Sequence, residues 1–226
     1  MNNEEGIVLL VNKPLEWTSF DVVNKLRYIL HTRKIGHAGT LDPLATGLLI
    51  VCTGKMTKQV DTFQAQEKEY TGTIVLGQTT ASYDLETEPG PAADLSSITE
   101  TAVKAAAKDF VGRIEQLPPA HSSVKVDGKR AYALARKGKE VNLKPREVDI
   151  TVFEITACRF PEVDFRVVCS KGTYIRSLAH DLGQRLGVGA HLSALCRTRI
   201  GNFKLEQAET LDQIRDRFQA QPQPSA

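Results

Sequence analysis

Apolar residues follow two rhythms along this chain, and together they predict a sheet with helices against it. Gly6–Val11 is a continuous apolar run of strand length, the pattern of a strand buried on both faces, and Leu48–Cys52 is strand-like. The first ends at the turn-prone Asn12-Lys13-Pro14. Glu69–Leu76 is rich in β-branched residues and also strand-like. Ile150–Phe160 and Asp164–Cys169 flank Pro161-Glu162 and predict a β-hairpin. Elsewhere the period is helical. Ser19 can cap a helix with an apolar stripe of Phe20, Val22, Val23, Leu26, Ile29 and Leu30. Ser97-Ile-Thr-Glu100 is a capping-box pattern that opens an alanine-rich helix to about Phe110, and Leu117-Pro-Pro119 stops it. A helix from about Tyr174 to Leu186 ends at Gly187, and Thr210-Leu-Asp-Gln213 opens a last one.

Residues 35–47 and 77–95 read as loops, and 120–146 as a short basic segment with a turn or two around Arg130–Lys137. No internal repeat is present. Strands and helices alternate without regular βαβ units, so the expected class is α+β: a mixed, mainly antiparallel β-sheet flanked by helices. A length of 226 residues predicts one large domain, 1–218, followed by a polar tail at 219–226.

Composition removes several alternatives. An apolar fraction of 41% with a net charge of +2 excludes wholesale disorder. The longest apolar runs have five residues, against about 20 needed to span a bilayer, so no membrane partner is expected. The N-terminus is acidic where a secretory signal would be basic. Cys52, Cys158, Cys169 and Cys196 form no C-x-x-C pair and have no histidine at metal spacing, so free thiols, no metal and a cytoplasmic location are expected. Charge is uneven: residues 81–100 sum to −5, whereas 121–150 and 159–199 sum to +4 each. Such basic segments suit a phosphate backbone, and equally a solvated charged face.

Two familiar chemistries fail on the residues. Gly54-Lys55 lacks the preceding glycine and following Ser/Thr of a P-loop, because Leu49 and Met56 stand there. No G-x-S-x-G elbow occurs. Two segments remain unusual. Gly36-His-Ala-Gly-Thr-Leu-Asp-Pro-Leu-Ala-Thr-Gly47 is a glycine-punctuated loop that presents His37 and Asp42 between apolar elements. Spacing alone also fits an ordinary turn initiated by Asp42-Pro43. Ser170-Lys-Gly-Thr-Tyr-Ile-Arg176 gathers a cation, a phenol and a guanidinium at a strand-to-helix junction, as a carboxylate or base site would, or as a solvated helix start would.

These two segments resemble motifs of the bacterial tRNA pseudouridine synthase B family, which isomerises uridine 55 of tRNA. Lys13-Pro14 with Thr18-Ser19, Leu117-Pro-Pro119 with Lys125 and Gly128-Lys129, and Gly189-Ala-His-Leu-Ser-Ala-Leu195 are similar to it too, in order from about residue 6 to residue 217. The resemblance implies Asp42 as the catalytic carboxylate, Arg176 as its cationic partner and Tyr70 as the active-site tyrosine. It implies His37, Tyr174 and Leu195 as residues lining the uridine site or holding the displaced loop, with Lys13 in a supporting place. The resemblance implies tRNA as the partner, gripped at the T-arm by a basic flap at about 120–146; no protein partner is implied, and a monomer is expected. The reaction moves uracil from N1 to C5 linkage without oxidation or hydrolysis, so no cofactor is implied. A carboxylate nucleophile divides one hard step into two, and extruding the stacked base costs roughly a few kcal/mol.

The chain departs from the family at Glu16, where glycine is usual, and at His121-Ser122-Ser123 in place of Tyr-Ser-Ala. After Leu195, Cys196-Arg197 replaces an Arg-Arg pair, which removes one phosphate-binding candidate. It is also a short form: only Gln219–Ala226 stands where many relatives carry a C-terminal RNA-binding domain, which points to weaker or more T-arm-centred binding. Two rival readings are a tRNA-binding or folding protein with secondary or lost catalysis, and a pseudouridine synthase acting on another RNA.

Overall fold

The apolar run Leu48–Cys52 folds as the middle of a nine-residue strand, with side chains fully buried on both faces. In chain order the elements are β1 (Val8–Lys13), α1 (Ser19–Ile29), β2 (Ile35–Ala38), β3 (Ala45–Thr53), α2 (Val60–Ala65) and β4 (Lys68–Leu76). Then come α3 (Glu100–Lys108), β5 (Gly112–Gln116), β6 (Lys125–Val126), β7 (Lys129–Arg130), α4 (Ala131–Ala135) and β8 (Arg146–Arg159). The chain closes with β9 (Glu162–Cys169), α5 (Ile175–Arg185), β10 (Ala190–Ile200), β11 (Phe203–Lys204) and α6 (Leu211–Gln219). The structure is a computed structural model and describes residues 5–220 except 123, 127, 136, 139 and 140.

The chain packs as two compact units, one comprising residues up to 70 and from 196 onward, the other 71–195. In the first, β3 pairs antiparallel with β1 from Val8↔Cys52 to Lys13↔Gly47, and with β2 from Ile35↔Thr53 to Ala38↔Ile50. Odd and even positions of β3 feed two cores. Leu49 and Val51 pack with Leu9, Val11, Val22, Leu26 and Ile214, while Leu48, Ile50 and Cys52 pack with Ala38 and Ile200. Each such side chain stabilises the fold by roughly 1.5–3 kcal/mol through burial. That two-sided burial explains a continuous apolar run instead of an alternating one.

In the second unit β8 and β9 form the expected hairpin, antiparallel from Ile150↔Cys169 to Arg159↔Glu162, with irregularities near Val152 and Ala157. β5 joins β8 antiparallel. Val103, Ala106 and Ala107 are the buried face of α3, and Phe153 meets Phe165 edge-on at 6.1 Å. Sheet and flanking helices make the class α+β, as expected.

Two helix starts and one loop differ in detail from expectation. The cap of α1 is Thr18, whose hydroxyl accepts from Asp21 N while Thr18 N donates to the Asp21 carboxylate. Ser19 lies one residue inside and is used elsewhere. The cap of α3 is Thr99, not Ser97. The stretch read as a plain loop at 35–47 contains β2, too short and glycine-split to show a period. The helix starts at Thr210 and after Gly172 stand as expected. Of the basic flap, Arg136 and Lys139 lie outside the described residues, as do Ser123 and the last six residues of the tail. All four cysteines are free; Cys52 and Cys169 are buried, Cys158 and Cys196 half-buried. Among the described residues no helix is long and apolar enough to cross a membrane.

Candidate active site

The loop between β2 and β3 carries Asp42, and the first unit fixes that loop from several directions. Ser19, 1% exposed, accepts from Leu41 N at 2.9 Å and donates to Leu41 O at 3.3 Å, so α1 clasps the residue before Asp42. Lys13 is fully buried at the end of β1, and its ammonium donates to the carbonyls of Pro14, Trp17 and Pro43, the residue after Asp42. Burial pushes the Lys13 ammonium down to about 8, and the nearby Asp42 charge opposes that shift. Glu16 N also donates to Pro43 O, at 2.9 Å, from a backbone with φ +66°. That left-handed conformation is the reason glycine suits the position. Asp42 itself is half-buried, and its carbonyl accepts from Ala45 N at 3.1 Å.

His37 lies in β2 opposite Val51, half-buried, with Nδ1 enclosed. Burial, and then the Arg197 charge, push its imidazole below the usual histidine range, so it is neutral at pH 7. Tyr70, 8% exposed, closes this unit's part of β4. Lys13, His37 and Asp42 therefore belong to one neighbourhood, with Lys13 bound to backbone and not open to a ligand.

The second unit holds Arg176, Tyr174 and Leu195. Tyr174 is the N-cap residue of α5, and Gln116, 2% exposed, grips its backbone twice: Nε2 donates to Tyr174 O at 3.0 Å, and Oε1 accepts from Tyr174 N at 2.7 Å. Ser177 Oγ donates to Leu117 O at 2.7 Å, a second tie between α5 and the end of β5. Arg176, 3% exposed, donates to Ser82 O at 3.1 Å and His121 O at 3.0 Å, and its Nε lies 3.6 Å from Asp84 Oδ2. Leu195 is half-buried in β10.

Asp84 was not legible as a site residue, since it sits in an acidic stretch that reads as solvated surface. Here it is 4% exposed. Its carbonyl accepts from Thr80 Oγ1 at 2.7 Å and Ser82 Oγ at 3.0 Å, and its Oδ1 accepts from Glu86 N at 3.0 Å. Tyr83 next to it has φ +64° and stacks on His180, with ring centroids 3.9 Å apart. Burial, with the Asp181 charge second, pushes the Tyr83 phenol up, and burial pushes the Asp181 carboxyl up to about 6. The only sequence sign of this order was the hydroxyl-bearing Thr80-Ala-Ser82 before Asp84.

Relatives and solved structures show the family to which this chain belongs. A family model described as TruB family pseudouridylate synthase (N terminal domain) matches residues 27–175, and one described as tRNA pseudouridylate synthase B C-terminal domain matches 176–225. Proteins named tRNA pseudouridine synthase B are 55% identical in Bacteroides fragilis, over 94% of this chain and 97% of that protein, and 52% identical in Flavobacterium johnsoniae, over 90% and 92%. Among solved structures, a Cbf5–Nop10–Gar1 complex matches with a TM-score of 0.74 and 34% identity, and an archaeal box H/ACA sRNP Nop10–Cbf5 complex with 0.71 and 31%. Each match covers 96% of this chain, which spans about half the length of those chains, 55% and 54%. A half-open aspartate on a braced glycine loop thus stands in a chain that belongs to the TruB family of pseudouridylate synthases.

Proposed function

We propose that this chain converts uridine 55 in the T-loop of tRNA into pseudouridine, with Asp42 as the nucleophile. Kinship supports the substrate. The observation that carries the chemistry is the Asp42 loop: Leu41 and Pro43, on either side of the carboxylate, are both fastened to buried groups, leaving Asp42 half-open in a set place. Preorganisation of that kind is what a nucleophile acting on a nucleotide of a folded RNA requires.

In this reading the target base leaves its stack and the flat faces of His37 and Tyr70 replace the lost contacts. A neutral His37 suits a neutral uracil. Asp42 forms a bond to an electrophilic carbon of the nucleotide, the glycosidic C–N bond breaks, and uracil turns to present C5 to the sugar. A C1′–C5 bond then forms, the bond to Asp42 breaks and frees its carboxylate, the C5 proton is released and N1 takes up a proton, so atoms and electrons balance with no cofactor. Arg176 gives the carboxylate a cationic partner, Tyr174 and Leu195 line the uridine site, and Lys13 supports the loop from inside. The basic flap grips T-arm phosphates. Residues 1–218 act together as a monomeric catalytic domain in the cytoplasm, where tRNA is met.

The test is to incubate the protein with an unmodified tRNA transcript and map pseudouridine by carbodiimide labelling and primer extension. One modified position in the T-loop, retained with an isolated T-arm hairpin, supports the reading. Modification elsewhere assigns another RNA site, and binding without modification leaves an RNA-binding protein.

A further inference from the structure

One buried cation has no part in the chemistry above. Arg197 in β10 is 1% exposed, so its guanidinium is not placed to meet an RNA phosphate, the use that basic residues after Leu195 suggest. Its Nε donates to Leu48 O at 2.7 Å and its Nη2 to Gly39 O at 3.0 Å. Those two carbonyls bracket the segment that carries Asp42. The backbone of Arg197 is engaged as well: a Cβ on Gly47, whose φ is +101°, would lie 2.4 Å from Arg197 O and 2.7 Å from Arg197 N. Glycine at 47 lets the start of β3 lie directly on Arg197. A residue serving packing alone would not carry a charge into the core, where desolvation is costly. A planar fork of donors, by contrast, suits two carbonyls in fixed directions.

We infer that Arg197 is a positioning residue for catalysis: it ties both ends of the 39–48 loop to one rigid fork and so sets where Asp42 stands. The inference rests on the reading of Asp42 as nucleophile. Ser19 and Lys13 hold the residues beside Asp42; Arg197 holds the two ends and reaches both.

The experiment compares Arg197→Lys, Arg197→Gln and Asp42→Asn by single-turnover pseudouridine formation on tRNA transcript, by equilibrium tRNA binding and by thermal unfolding. A displacement of about 1 Å can cost about 100-fold in rate, and a loss of that order is expected for Arg197→Gln, with tRNA affinity within about threefold of wild type. Arg197→Lys, which reaches one carbonyl, is expected to recover part of the rate. A variant folded at the assay temperature with a rate within about threefold of wild type overturns the inference, and so does an affinity loss that accounts for the rate loss. If neither variant folds, hydrogen exchange on the wild-type protein decides. Leu41 and Ala45 amides protected as strongly as Arg197 Nε–H support the tie; loop amides that open independently of a protected Arg197 overturn it. An active Asp42→Asn protein removes the underlying reading, whereas an inactive one beside fully active Arg197 variants removes only the positioning role.

Discussion

Arg176 Nε lies 3.6 Å from Asp84 Oδ2, and both side chains are within 5% of complete burial. The pair joins the start of α5 to a stretch whose charge pattern alone describes solvated surface. Asp84→Ala is expected to destabilise the protein by up to about 3–5 kcal/mol, because it strips a carboxylate partner from a buried guanidinium. Urea unfolding measures it. Asp84→Asn, which keeps an acceptor, should cost less, and equal costs would show that charge is not what matters there.

Ser19 supplies both partners of Leu41's backbone in a buried place. Ser19→Ala leaves an N–H and a carbonyl without them, at about 1–3 kcal/mol. The loss should appear in chemical denaturation, and in faster hydrogen exchange at the Leu41 amide than at the β1 and β3 amides.

Gln116 acts as a peptide group towards Tyr174, donating once and accepting once. Gln116→Met keeps the volume and removes both bonds, at about 1–3 kcal/mol. Gln116→Glu keeps the acceptor and should fall between wild type and Gln116→Met in unfolding free energy.

Lys13 gives a pH dependence of definite sign. Its folded value is pushed down to about 8, from an ordinary 10.5. The native state therefore binds fewer protons than the unfolded chain between those values, and stability rises with pH there. Below pH 8 the full cost of burying the charge is present. The wild-type protein should gain on Lys13→Met in unfolding free energy from about pH 8 to pH 10, and a flat difference would contradict the buried-ammonium account.

Much of this fold was legible because its signals are local. The strand at Leu48–Cys52, the hairpin at Pro161-Glu162 and the capping box at Thr210 each follow from a few neighbouring residues. Ser19 illustrates the limit: its place at a helix start was visible, but Thr18 took the cap and Ser19 turned to Leu41, a choice set by tertiary packing. Asp84 and Arg197 were missed for the same reason. A buried charge has no period, and its partners are 92 and 149 residues away in sequence. Resemblance named Asp42, Arg176 and the supporting Lys13, while the hold of Ser19 and Arg197 on the loop and of Asp84 on Arg176 came only from the structure.

The central claim is that this chain is a uridine isomerase whose nucleophile is Asp42. The most direct measurement is tritium release from tRNA transcript labelled at uracil C5, with the wild-type chain and with Asp42→Asn. Release at the T-loop uridine that falls by at least about 1,000-fold in the variant is the predicted result, since removal of a nucleophile costs that order or more. Release undiminished in a folded Asp42→Asn protein would contradict the account.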